Sequence, residues 1–78
     1  MNKERRTKLQ SIADKISDLR DEIRELCEEE QGAFDNLPDS IQGSSKGGAM
    51  EAAVQNMDDA ADGLEHVIDE LQDAQSQS

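Results

Sequence analysis

The amino-acid sequence is that of an all-α protein: an antiparallel hairpin of two long helices that is expected to dimerise into a four-helix bundle or coiled coil. Three features lead to this expectation. Apolar residues recur at alternating steps of three and four in two separate runs. A stretch rich in glycine, serine and proline divides the runs. A chain of 78 residues that is 33% hydrophobic supplies only two such helices, too few to cover both apolar faces. One domain fills this length, residues 1–78.

Helix 1 is expected from about residue 2 to 34. Its apolar run is Leu9, Ile12, Ile16, Leu19, Ile23 and Leu26. This is a heptad pattern, with Leu9, Ile16 and Ile23 at a and Ile12, Leu19 and Leu26 at d. Asp14, Asp21 and Glu28 take the outer f positions, and no Gly or Pro falls between residues 2 and 31. A net charge of −11 and a single aromatic, Phe34, also describe disordered chains. The unbroken periodicity argues for order.

A linker is expected over about residues 35–47. With Gly48 at its end it holds Pro38 and three of the five glycines, and Pro38 biases Leu37 away from helical angles. Leu37 and Ile41 are expected to fold back with Phe34 as an apolar plug over the end of the bundle.

Helix 2 is expected over about residues 48–75, starting at Gly48 with Glu51 in its first turn, or capped by Ser44 or Ser45. Its run is Met50, Ala53, Met57, Ala60, Leu64, Val67, Leu71 and Ala74, with Val54, Ala61 and Ile68 as a flanking e column. A face this wide suits a bundle better than a two-stranded coil. Gly63 costs about 1 kcal/mol relative to Ala and marks either close helix contact or a tolerated weak point. Residues 76–78 are expected to fray.

A hairpin leaves half of each wide face wet, which is why a homodimer is expected. The alternative is a parallel dimer through helix 1 alone. Its e and g positions run from Arg6, Lys8, Lys15 and Arg20 to Glu22 and Glu29. That gradient sets like charges together in a parallel pair and favours antiparallel pairing.

The charge is unevenly placed. Residues 1–34 carry nine acids and seven bases, whereas residues 47–78 carry eight acids and no lysine or arginine. Glu51, Asp58, Asp62, Glu65, Asp69 and Asp73 fall within roughly a quarter of the helix circumference. On helix 1, Asp14, Asp18, Asp21 and Glu25 add an acidic row, with Arg20 and Arg24 as local partners. The one-signed stripe reads either as a solvated face or as a binding face for a basic protein surface, in competition with nucleic acid. Direct binding of nucleic acid is not expected, because phosphates repel such a chain. The basic residues Lys3, Arg5, Arg6 and Lys8 are expected to lie beside Asp69 to Asp73 in the hairpin.

No enzymatic constellation is present in the sequence. Glu65 and His66 are adjacent, so they point to different faces and make no di-iron motif. Asp58 to Gly63 resembles a calcium loop only superficially, since a helix cannot wrap an ion. Neither cofactor nor metal is expected. His66 is expected on the surface. Cys27, the single cysteine, forms no internal disulfide and is read as a half-buried helix residue in a reducing compartment. No apolar run spans a membrane, and the charged first residues lead into no secretory signal.

The segment Glu28-Glu-Glu-Gln-Gly-Ala-Phe-Asp-Asn-Leu-Pro-Asp-Ser-Ile-Gln-Gly-Ser, followed by Gly48-Ala-Met-Glu, resembles small acidic helical proteins encoded by phages and prophages. The resemblance covers about residues 26–71 and implies origin more than activity. It implies the cytoplasm of a bacterial host. Some small acidic phage proteins inhibit host nucleases and mimic DNA, and this chain is similar to those in size and charge. The expected function is therefore an anti-defence inhibitor that binds a basic nucleic-acid-binding host protein through the ten acids named above. The alternative is a structural or assembly protein acting through self-association or through its linker at Phe34, Leu37, Pro38 and Ile41.

Overall fold

A computed structural model describes residues 1–77, so the expected fraying of Ser78 lies outside the described residues. Three helices follow in order: α1 (Lys3–Asp35), α2 (Asp39–Gln42) and α3 (Ser45–Gln75). The two long helices pack antiparallel, and α2 sits against α3.

Each end has a local cause. The Asn2 side chain accepts a hydrogen bond from the Arg5 amide at 2.8 Å and caps α1. At its far end the Asn36 amide returns to Gly32 O at 3.1 Å, and Leu37 to Phe34 O at 3.0 Å, before Pro38 stops the helix. The linker is shorter than expected and partly helical. Pro38 opens α2 with a φ of −59°, and Gln42 Nε2 donates to Phe34 O at 3.1 Å, tying α2 to the end of α1.

Helix α3 begins three residues before the expected Gly48. Ser44 is the cap: its Oγ accepts from the Gly47 amide at 3.4 Å, and its carbonyl accepts from Gly48 at 2.9 Å. The capping bonds outweigh the breaker composition of Gly47 and Gly48. Gly47 also has a steric role. It is buried, and a Cβ there would lie 2.6 Å from Ile41 O and 2.5 Å from Gln42 C. The missing side chain is what lets α2 rest on the first turn of α3.

The seam between α1 and α3 uses columns a and e on both helices. Ala13 and Ala61 are 2% and 0% exposed and Ile68 is 6% exposed, and all three are e residues. Leu9, Ile16, Ile23 and Cys27 on α1 are half-buried, as are Val54, Met57, Leu64 and Leu71 on α3. On α1 this departs from the a/d stripe of the sequence pattern. Small side chains at Ala13, Ala61 and Cys27 let the two helices meet on the e side, which turns column d outward. Gly63 has nothing within 4 Å of an added Cβ, so it is a weak point and not a close contact between the helices.

The result is a single layer. Its Cα extents are 58 × 15 × 12 Å and its radius of gyration is 17.6 Å. A compact domain of this length would have about 11.5 Å. Its accessible surface is 5431 Å², against about 4,700 Å² for a folded monomer of this mass. No helix among the described residues is long and apolar enough to cross a membrane.

Candidate functional site

A two-helix layer has two broad faces, and the seam decides what each displays. With the a/e columns meeting, column d lies about 80° from the contact direction on each helix. Because the helices are antiparallel, both d columns turn to the same side of the layer. Columns b and f turn to the other.

The first face is apolar. On α1 it presents Ile12, Leu19 and Leu26, which are 45%, 53% and 56% exposed, and on α3 Ala60 and Val67. Ile12, Leu19, Leu26 and Val67 are among the largest exposed apolar side chains of the described residues. The sequence marked them as core residues, and the fold leaves them uncovered.

The second face is acidic. On α3 it carries Glu51, Asp58, Asp62, Glu65 and Asp69, and on α1 Asp14 and Asp21. Asp18, Glu25 and Asp73 lie at column c, on the outer edges. All ten are exposed except Glu65, which is half-buried. The hairpin thus brings two acidic rows, far apart in sequence, onto one side. Glu51 to Asp69 spans about 27 Å at 1.5 Å per residue, and the five acids of this face over that length give about one charge per 5 Å. A nucleic-acid strand carries one per about 3.4 Å.

Two arginines interrupt the face. Arg20 donates to Glu65 Oε2 at 2.6 Å, to Asp21 Oδ1 at 3.1 Å and to Ser17 Oγ at 2.9 Å. Arg24 adds longer pairs to Asp62 at 3.8 Å and Glu65 at 3.7 Å. The bonds to Asp21 and then Glu65 raise the Arg20 pKa above its ordinary value, against the smaller opposing effect of desolvation. The sequence identified both arginines as partners within helix 1. Their reach across to α3 depends on the register, which sequence spacing does not contain. Asp62 and Glu65 are accordingly engaged within the chain. Glu51, Asp58, Asp69 and Asp73 form no ion pair among the described residues.

Asp58, Asp59 and Asp62 bring one carboxylate oxygen each within 4.8 Å of one another, all on exposed side chains of a continuous helix. His66 is exposed and pairs with Glu70 at 2.6 Å. Cys27 is half-buried, and its thiol lies 3.5 Å from Val54 O. The amino-terminal amine meets Gln77 O at 3.4 Å, so the two chain ends lie together. Among the described residues, however, no ion pair joins Lys3 to Lys8 with α3, and Lys8 turns to Glu4 at 3.3 Å. In the linker Phe34 and Leu37 are half-buried, whereas Pro38 and Ile41 are exposed, so the expected plug is only partly formed.

The described residues enclose no cavity. No protein-family model matches the chain, and no curated protein or solved structure is significantly similar to it.

Proposed function

We propose that the protein is a phage-type interaction protein that binds and blocks a basic nucleic-acid-binding protein of a bacterial host, in the cytoplasm. The observation that carries this is the acidic face assembled from both helices, with no lysine or arginine on α3 beyond its first turn. Its axial charge spacing on α3, about 5 Å per acid, is of the same order as the about 3.4 Å of a nucleic-acid strand. Such a field raises the encounter rate with a cationic cleft and competes with phosphates for it.

The test is capture of host proteins followed by competition. The bound fraction is expected to consist of nucleic-acid-binding proteins that duplex DNA displaces. It is also expected to be released as salt approaches about 1 M, where the screening length is about 3 Å. Substituting Asp58, Asp69 and Asp73 by Lys removes binding without touching the Arg20 and Arg24 pairs. Partners that DNA and salt leave in place, or a triple variant that still binds, would refute the proposal.

We also propose that the hairpin self-associates into a four-helix bundle, which the uncovered apolar face favours. This supports the second reading, a structural or assembly protein. In that case linker or apolar-face substitutions impair function and charge reversal on α3 does not.

A further inference from the structure

We infer that the uncovered apolar face is closed by a second copy of this chain in one specific arrangement. Helix α1 lies antiparallel to α1 of the other copy, with the two-fold axis passing beside Leu19. The inference rests on the self-association proposed above and adds the geometry to it.

Area is the first argument. The uncovered layer is 58 Å long and 15 Å wide, a footprint close to the about 800 Å² per partner that a standard interface buries. The surface in excess of a compact monomer of this mass is about 700 Å².

Charge is the second, and it selects the arrangement. Column d of α1 is centred on Leu19, with Ile12 and Leu26 one heptad to either side. Column g borders it and reads Lys8, Lys15, Glu22, Glu29. This order changes sign between Lys15 and Glu22, at the height of Leu19. An antiparallel pair about that point sets Leu19 on Leu19 and Ile12 on Leu26. It also sets Lys15 of one copy beside Glu22 of the other, and Lys8 beside Glu29. Among the described residues, Lys15, Glu22 and Glu29 form no ion pair within the chain. Parallel stacking of the hairpins puts α1 on α3 of the other copy instead. Lys15 then meets Glu70, but Glu22 and Glu29 face Gly63 and Asn56.

The register of the hairpin is the third argument. Column d of α3 is Ala53, Ala60, Val67 and Ala74, centred between Ala60 and Val67. The Arg20–Glu65 bond places that centre within one helical turn of Leu19. One two-fold axis therefore serves both helices, α1 on α1 through large side chains and α3 on α3 through small ones. The small residues of column d bring α3 close to its counterpart. The acidic face, on the opposite side of each layer, remains outward.

Sedimentation and cross-linking separate the levels of this inference. The wild-type chain is expected to sediment at twice its 8.6 kDa mass. In a Cys27→Ser background, Leu19→Cys is expected to oxidise to a covalent dimer, whereas Ile12→Cys alone is not, and Ile12→Cys mixed with Leu26→Cys is. Lys15→Glu is expected to weaken association about three- to thirtyfold, since two pairs per dimer are lost. Adding Glu22→Lys restores it. These two sites are exposed, so the helices persist in both variants. A single-chain mass overturns self-association and this arrangement together. A dimer in which the Leu19→Cys variant cross-links only to a Val67→Cys variant overturns the arrangement and leaves self-association standing.

Discussion

Replacing Gly47 by Ala tests the account of the hairpin turn most directly. In an ordinary helix interior this exchange stabilises by about 1 kcal/mol, through propensity and the entropy of the unfolded chain. At Gly47 the new methyl meets backbone, not a flexible side-chain end: Gln42 C at 2.5 Å and Ile41 O at 2.6 Å. Backbone atoms cannot yield without moving α2. Overpacking of this kind costs about 1–3 kcal/mol, so the net change runs from about zero to a loss of about 2 kcal/mol. Gly32 and Gly48 are the internal controls, since an added Cβ meets nothing within 4 Å at either. Each Ala there is expected to stabilise by up to about 1 kcal/mol. For a domain of this size 1 kcal/mol corresponds to about 6 °C in Tm. Thermal unfolding followed by circular dichroism, at fixed protein concentration, should therefore place Gly47→Ala about 6–18 °C below the controls. Loss of the Gln42–Phe34 contact should appear as an amide shift at Phe34 and Asp35. A Gly47→Ala variant as stable as Gly48→Ala would refute the steric role of Gly47.

Further outcomes follow from the seam and the caps. Ile68→Ala should destabilise by about 2 kcal/mol, the low end for a core Ile because the layer is open on one side; urea unfolding checks this. Arg20→Ala should destabilise the hairpin, and the loss should shrink at high salt if the Glu65 pair is its source. Asn2→Ala should cost about 1 kcal/mol and speed amide exchange in the first turn of α1. Asp58, Asp69 and Asp73 exchanged together for Lys should leave helix content unchanged, since none of the three is ion-paired among the described residues.

Long helices were legible because their signal is local and repeated. Alternating three- and four-residue steps over six or eight apolar positions fit one backbone period. Helix α1 accordingly starts and ends within a residue of the sequence expectation. The start of α3 was less legible. Gly47 read as linker and Gly48 as the helix start, with Ser44 or Ser45 as the alternative cap; the side-chain bond from Ser44 sets the earlier start, and the close approach of α2 requires glycine at Gly47. The four-residue α2 escaped detection because its contacts, Gln42 to Phe34 and Ile41 to Gly47, are made with other elements.

The two helices, the division between them, the imbalance of charge and the shortage of core are all written in the order of residues. Each is a sum over neighbours along the chain. Which apolar column is spent on the hairpin seam is instead settled by packing. A heptad run presents a, d and e within roughly 100° of arc, and period alone does not rank them. The small side chains of Ala13, Cys27 and Ala61 let the helices meet on the e side. That choice turned Ile12, Leu19, Leu26 and Val67 together onto one face and gathered acids at columns b and f of both helices onto the other. It also carried Arg20 and Arg24 to Asp62 and Glu65, two acids that sequence spacing alone had left free.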